Sequence, residues 1–483
     1  MNQNHDTSTA VENGLITTPT YLLNTPKPVA TLTERMAHYH VPGVSIAVIN
    51  ENRIEWARGY GVADATDATP VTVDTRFYAA SISKPITAMA ALALVAAGQL
   101  DLDEDVNRKL LSWQVPENDF TAVEKVTVRR LLSHSAGMTA GFYQGYSVDE
   151  AMPTLPQLLR GEPPSNSGPV HVQFVPGSTT EYSGAGYWVL QQLMEDVTGQ
   201  PFADLLQQTV FDKVGMPHST FHYPLPKSPA LAAASGHDNT GTPCEERFSR
   251  VPALADGGLW STPTDLARFL IELQQSASGH ANQVLSPAMS VRMMTEEIEQ
   301  HSLGLHIFGT GDAIRLSHGG SGEAFLCLMA AFPARGQGAV VMTNGANGWG
   351  LILELFRSLA DAYDWPDYNA VGKRMLPLAP ELLEPYTGQY RLQENIQQYG
   401  DYTGQWQVNH MSEVIFTVQR ASNGLLIRDP VGNEFHYYPQ AIDSFFALES
   451  DGDVIFGRDA QGQVSHIDLI FSHANFQARQ IPT

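Results

Sequence analysis

The chain has 483 residues, and its net charge of −23, from 28 Lys and Arg against 51 Asp and Glu, opposes binding to phosphate backbones and anionic membranes. Hydrophobic residues at 43% and charged residues at 16% supply core for two or three globular domains and exclude a disordered chain. Two cysteines, Cys244 and Cys327, build neither a disulfide framework nor a cysteine-rich metal site.

Residues 1–25 read as a polar lead-in, and the first ten carry no basic-then-apolar signal pattern, so a cytoplasmic location is expected. A helical pattern over Val29–His38 precedes a hairpin, with strands Val44–Ile49 and Arg53–Arg58 around the turn Asn50–Asn52. The apolar stretch Ala88–Ala97 is too short to span a bilayer and reads as a core helix beginning at Ser81. Helices follow over Val128–Ser133, Ala185–Thr198 and Thr264–Gln275, the last announced by Thr262-Pro-Thr-Asp265, a capping hydroxyl with proline in the first turn. A second hairpin pairs Ala324–Phe332 with Gly338–Thr343, and a helix covers Trp349–Tyr363. Strands at both ends enclosing a helical insertion predict an α/β domain over residues 26–370. Its antiparallel sheet is flanked by helices, with a helical subdomain and a site at their junction. After the linker Leu376-Pro-Leu-Ala-Pro380, short alternating strands recur between glycine turns, from Tyr386–Tyr390 to His466–Phe471, and predict a small β-barrel over 376–483.

Three segments carry chemistry. In Ser81-Ile-Ser-Lys84, residues three apart share a helix face, so the lysine lies beside the serine. Desolvated at the positive end of that helix, its amine can take the serine proton, while an amide of the first turn is free to donate to an oxyanion. By itself this spacing is a weak signal. Tyr182-Ser183-Gly184 opens the helix that runs to Thr198 and places a phenol where it can shuttle protons, although a half-buried tyrosine under a turn is the plainer account. Ser317-His318-Gly319-Gly320-Ser321-Gly322 precedes the Ala324 strand, and its glycines let a strand edge approach a substrate closely, with the Ser321 N–H opposite that of Ser81.

In this order and spacing the three boxes resemble the serine β-lactamase and penicillin-binding-protein superfamily, more narrowly its class C β-lactamase-related branch of esterases and D-aminopeptidases. The resemblance runs from Val29 to Asp364 and includes Leu131-Leu-Ser-His-Ser-Ala-Gly-Met138 and Asp256-Gly-Gly-Leu-Trp-Ser-Thr-Pro263. It implies Ser81 as acylated nucleophile, Lys84 and Tyr182 as the proton-handling pair and His318 in the third box. The N–H groups of Ser81 and Ser321 would form the oxyanion hole, with Ser183, Gly319 and Gly320 at the substrate. It implies a small-molecule or short-peptide substrate, no cofactor, no metal, no nucleic acid and no membrane span, and leaves room for a homo-oligomer. The barrel resembles the lipocalin-like domain appended to some members, expected to shape oligomers or to cover the cleft.

Two departures bear on substrate. The second box is usually Y-x-N, and Gly184 has no amide for an acyl-amide group. The third box commonly holds Lys, whereas His318 is a weak anchor for a carboxylate near neutral pH. Both argue against efficient β-lactamase action and for esterase- or aminopeptidase-like chemistry, the alternative being a penicillin-binding or sensor protein that is acylated without turnover. No G-x-S-x-G elbow occurs. His218 and His222 have metal-pair spacing but sit between prolines, so a structural loop is expected there; His134 is expected to orient a turn.

Overall fold

The computed structural model describes residues 3–141, 145–147, 149–223, 225, 233–244, 251–280, 283–322, 324–393, 411–450, 452–471 and 475–481. It divides into two units, the first comprising residues 1–9, 33–353 and 365–367 and the second residues 10–32, 354–364 and 368–483.

The first unit is built on a seven-stranded antiparallel sheet in the order Thr69–Pro70, Arg53–Asp64, Gly43–Asn50, Gln337–Thr343, Phe325–Phe332, Arg315–Gly322, His306–Phe308. The strand earliest in the central sheet thus pairs with the last one, Val44 opposite Thr343, with the helical region inserted between them. The three central strands are apolar on both faces, and their side chains are buried almost without interruption, so both faces of the sheet are covered. Helix Pro263–Ala277 packs on one face, capped as expected by the Thr262 hydroxyl accepting from Asp265 N at 3.2 Å. Glu51 and Asn52, with φ of 52° and 55°, close the first hairpin in the doubly left-handed form that matches strand twist. Helix Ser83–Ala96 has no polar face: every residue from Ser83 to Leu92 is buried. Such a helix is held by burial on all sides, in one continuous core with the sheet and with helix Gly184–Thr198.

The second unit contains a closed barrel of eight antiparallel strands paired in chain order, from Gly388–Leu392 to Asn475–Gln480. Its interior is filled by side chains, with Tyr386, Tyr390, Phe445 and Phe456 packed at ring distances of 4.7–5.8 Å. Seven of these strands follow the alternation in the sequence. The eighth, Asn475–Gln480, completes the cylinder by pairing Tyr390 with Gln480, and closure removes both exposed edges.

The amino-terminal segment expected as a polar lead-in is ordered into helix Gln3–Asn13 and the strands Leu15–Ile16 and Thr20–Leu22. Burial explains the difference: Leu15 and Ile16 are 0% and 3% exposed, and Ile16 is tied through its N–H to Ser358 Oγ and through its carbonyl to Arg357. Val29–Ala30, expected as helix, pairs with Leu15–Ile16, and the helix begins at Leu32. Among the described residues no helix is long and apolar enough to cross a membrane.

Candidate active site

Ser81 stands in the turn between strand Phe77–Ala80 and helix Ser83–Ala96. The helix starts two residues later than expected, after a turn closed by Ile82 N–H on the Ala79 carbonyl at 3.0 Å. Ala80, just before Ser81, has φ of +44°, a left-handed conformation that costs a residue with a Cβ on the order of 1 kcal/mol. Ser83 holds the turn in place: its hydroxyl donates to the Ala80 carbonyl at 2.6 Å and accepts from Leu259 N–H at 2.9 Å. Among the described residues the Ser81 N–H meets no main-chain acceptor, so it is available to a ligand oxygen.

Lys84 is 2% exposed, and its Nζ donates to Ser81 Oγ at 3.2 Å and to the Asp256 carbonyl at 2.8 Å. The Tyr182 and Tyr187 rings lie over it, with centroids 4.8 and 5.6 Å from Nζ. Tyr182 remains 42% exposed and stacks on His134 at 4.4 Å. His134 in turn accepts from Ser183 N–H at Nδ1 (3.1 Å), and its carbonyl accepts from Glu181 N–H, so one buried imidazole fixes the turn that presents the phenol.

Ser183 departs from its expected place at the substrate. It is 3% exposed, and its hydroxyl is fully used, donating to the Thr139 carbonyl at 2.6 Å and capping helix Gly184–Thr198 through Gly186 N–H at 3.0 Å. A serine before a helix start satisfies orphan amides first, and that competing role wins here.

The third box forms strand Arg315–Gly322. Its outer edge pairs with His306–Phe308 only through Ser317, which leaves residues 318–322 unpaired on that side among the described residues. Gly320 is required by proximity: a Cβ there would stand 2.2 Å from the Ala79 carbonyl and 2.5 Å from Cys327 Sγ. Gly319 lies against the Trp349 ring and Gly322 against Tyr78. The glycines therefore press the open edge, with Ser321 on it, against the residues that lead into Ser81. His318 is buried, and its Nδ1 lies 2.7 Å from the Gly319 carbonyl. A carbonyl only accepts, so in the neutral ring Nδ1 carries the proton and Nε2 is the acceptor.

Around Tyr182 the structure gathers four imidazoles: His134 and His301 at 5.6 Å, His301 and His306 at 4.8 Å, His306 and His318 at 5.2 Å. Burial holds all four below the usual histidine range, His306 at about 4, with Lys84 adding to the effect on His134, His306 and His318. Beside Tyr182 these rings favour the neutral form. His301, His306 and the Asp256 carbonyl escape a reading by motif; the one signal available was the density of histidine at 301, 306 and 318. No group of three or more His, Cys, Asp or Glu is placed to hold a metal among the described residues. His218 and His222 face separate carboxylates, Asp74 at 3.7 Å and Asp204 at 3.4 Å.

Comparison with known proteins places this geometry in context. The family model described as Beta-lactamase matches residues 29–361. Penicillin-binding protein 4 of Amycolatopsis lactamdurans is 26% identical over 337 residues, 66% of this chain and 85% of that protein. Two solved structures are similar in fold. The octameric penicillin-binding protein homologue from Pyrococcus abyssi has a TM-score of 0.59 at 21% identity over 93% of this chain and 98% of its own. The D-amino acid amidase from Ochrobactrum anthropi SV3 has a TM-score of 0.57 at 20% identity, over 75% and 97%.

Proposed function

The chain belongs to the beta-lactamase family, and from that premise we propose that it is a serine hydrolase that cleaves ester or amide bonds of small or D-amino-acid-containing substrates through a covalent acyl-enzyme. The observation that carries the proposal is the buried Lys84 Nζ at 3.2 Å from Ser81 Oγ. In this reading Ser81 Oγ attacks the carbonyl carbon, and its proton passes to the Lys84–Tyr182 pair. The oxyanion is held by the N–H groups of Ser81 and Ser321. Collapse breaks the acyl–oxygen or acyl–nitrogen bond, and the leaving alcohol or amine takes up that proton. Water then repeats the sequence on the acyl-enzyme and restores the serine. His318, with Nε2 as an acceptor, is suited to a donor on the substrate and ill suited to a carboxylate. Together with the missing amide at Gly184, that argues against β-lactams and peptides ending in a free carboxylate. The likeness in fold to a D-amino acid amidase agrees with the substrate class, and the octameric assembly of the Pyrococcus abyssi homologue supports a homo-oligomer.

Intact-protein mass spectrometry with p-nitrophenyl acetate tests the proposal. The expected result is a transient acetyl adduct and released p-nitrophenol, both abolished in Ser81→Ala. Undiminished turnover by that variant overturns the assignment of the nucleophile. A persistent adduct without turnover identifies an acylated sensor instead of a hydrolase.

A further inference from the structure

Between the first and second boxes lies a carboxylate that the acyl-transfer reading does not use. Asp256 gives Lys84 only its main-chain carbonyl. Its side chain turns toward the second box, where a methyl group built on Gly184 would stand 2.8 Å from Asp256 Oδ2 and 3.0 Å from the Gly141 carbonyl. Glycine at 184 is thus the residue that makes room for this carboxylate, and a side chain of any size there would collide with it. Asp256 Oδ1 is buried and has no hydrogen-bond partner among the described residues. Burial pushes the carboxyl above the usual range, with Lys84 and Trp188 pulling it back. A buried acceptor left without a donor is destabilising, and a charged one more so. The histidines of this cleft are held neutral and supply no counter-charge.

We propose that Asp256 determines specificity by binding the free α-ammonium group of an aminoacyl substrate through Oδ1, the carboxylate oxygen that has no hydrogen-bond partner among the described residues. The inference rests on the acyl-transfer reading and names the substrate class within it. An ammonium brings N–H donors to an oxygen that has no hydrogen-bond partner among the described residues, and charge-assisted bonds of this kind are the strong ones. The same carboxylate repels a carboxylate at that end of the substrate, in line with the neutral His318.

The test compares alanine benzyl ester with N-acetylalanine benzyl ester in both the D and L series, reading kcat/KM by released benzyl alcohol. Wild type is expected to favour the free amine at least tenfold in one series, and Asp256→Asn to bring that ratio to about one. Gly184→Ala, which crowds the carboxylate, is expected to lower the ratio as well. Equal kcat/KM for the amine and its acetylated form in wild type overturns the inference. So does a preference that survives in Asp256→Asn, or no turnover of either ester by protein that p-nitrophenyl acetate acylates. Where Asp256→Asn fails to fold, Gly184→Ala carries the attribution, and a wild-type ratio in that variant overturns the inference. Absence of any Ser81 adduct with p-nitrophenyl acetate is the separate failure, that of the acyl-transfer reading itself.

Discussion

Lys84 Nζ reaches a hydroxyl and a main-chain carbonyl. Two substitutions separate its role from that of Tyr182. Lys84→Met keeps the length and burial of the side chain and removes the amine. It is expected to slow acylation by roughly 10²- to 10⁴-fold, the range of general acid–base effects. Tyr182→Phe should slow turnover within the same range while leaving thermal unfolding close to wild type, because the residue is 42% exposed and the substitution keeps the ring. Stopped-flow bursts of p-nitrophenol check both, and wild-type bursts in either variant refute that residue's role. Gly320→Ala makes the complementary point: a methyl group 2.2 Å from the Ala79 carbonyl is expected to destabilise by about 1–3 kcal/mol and to displace the open strand edge, with denaturant melts and kcat read together. Ser81, Lys84, Tyr182 and His318 were singled out in the sequence by the three boxes taken together and not by any one spacing, and the structure places Lys84 Nζ 3.2 Å from Ser81 Oγ, with the Tyr182 ring centroid 4.8 Å from Nζ and 6.5 Å from the His318 ring. Asp256 stood in a segment that carries the family resemblance, before a glycine pair that suits either a site lining or a tight turn; its packing against Gly184 exists only once residues about seventy positions apart come together.

Element boundaries follow from which groups satisfy the ends. Thr262 was recognisable as a cap because proline and an acid follow it, and it holds Asp265 N–H as such caps do. Ser83 gives no such signal, lying between Ser81 and Lys84, yet it bridges the Ala80 carbonyl and Leu259 N–H, 176 residues apart in the second case. The two serve as a calibrated pair. Thr262→Ala should cost about 1 kcal/mol, the usual value of a cap. Ser83→Ala strands two buried main-chain groups at about 1–3 kcal/mol each, so it should destabilise more. Urea melts on the two variants rank them, and an equal or smaller loss in Ser83→Ala contradicts the bridging role. The eighth barrel strand shows the limit of pattern reading. Asn475–Gln480 offers only Phe476 and Ala478 to the interior, too few apolar residues to stand out, and its existence follows from the need to close the cylinder.

Over the whole molecule two electrostatic effects run against each other as pH falls. A chain of net charge −23 repels itself less as its carboxylates take up protons, which favours the compact state. The cluster of His134, His301, His306 and His318 acts in the opposite sense, because burial keeps these rings neutral in the folded state while the unfolded chain protonates them near pH 6.5. For His306, held at about 4, the unfolded state binds more protons throughout the interval from pH 6.5 down to that value. Stability there rises with pH, by about 1.4 kcal/mol per pH unit, and is lost as the pH falls. Buried Glu195, Asp256, Asp265 and Glu272, all raised by burial, contribute with the reverse sign, so the total slope is a poor measure of the cluster. A difference isolates it. His306→Gln removes one titrating ring and leaves the other groups in place. Between pH 6.5 and 5 it should therefore gain about 2 kcal/mol relative to wild type, whatever its stability at neutral pH. Six of the seven tryptophans, at 56, 113, 188, 260, 349 and 365, lie in the first unit with the cluster, so tryptophan fluorescence in urea reports on its unfolding. Parallel stability–pH curves for the two proteins across that interval would show that His306 is not held neutral by the fold.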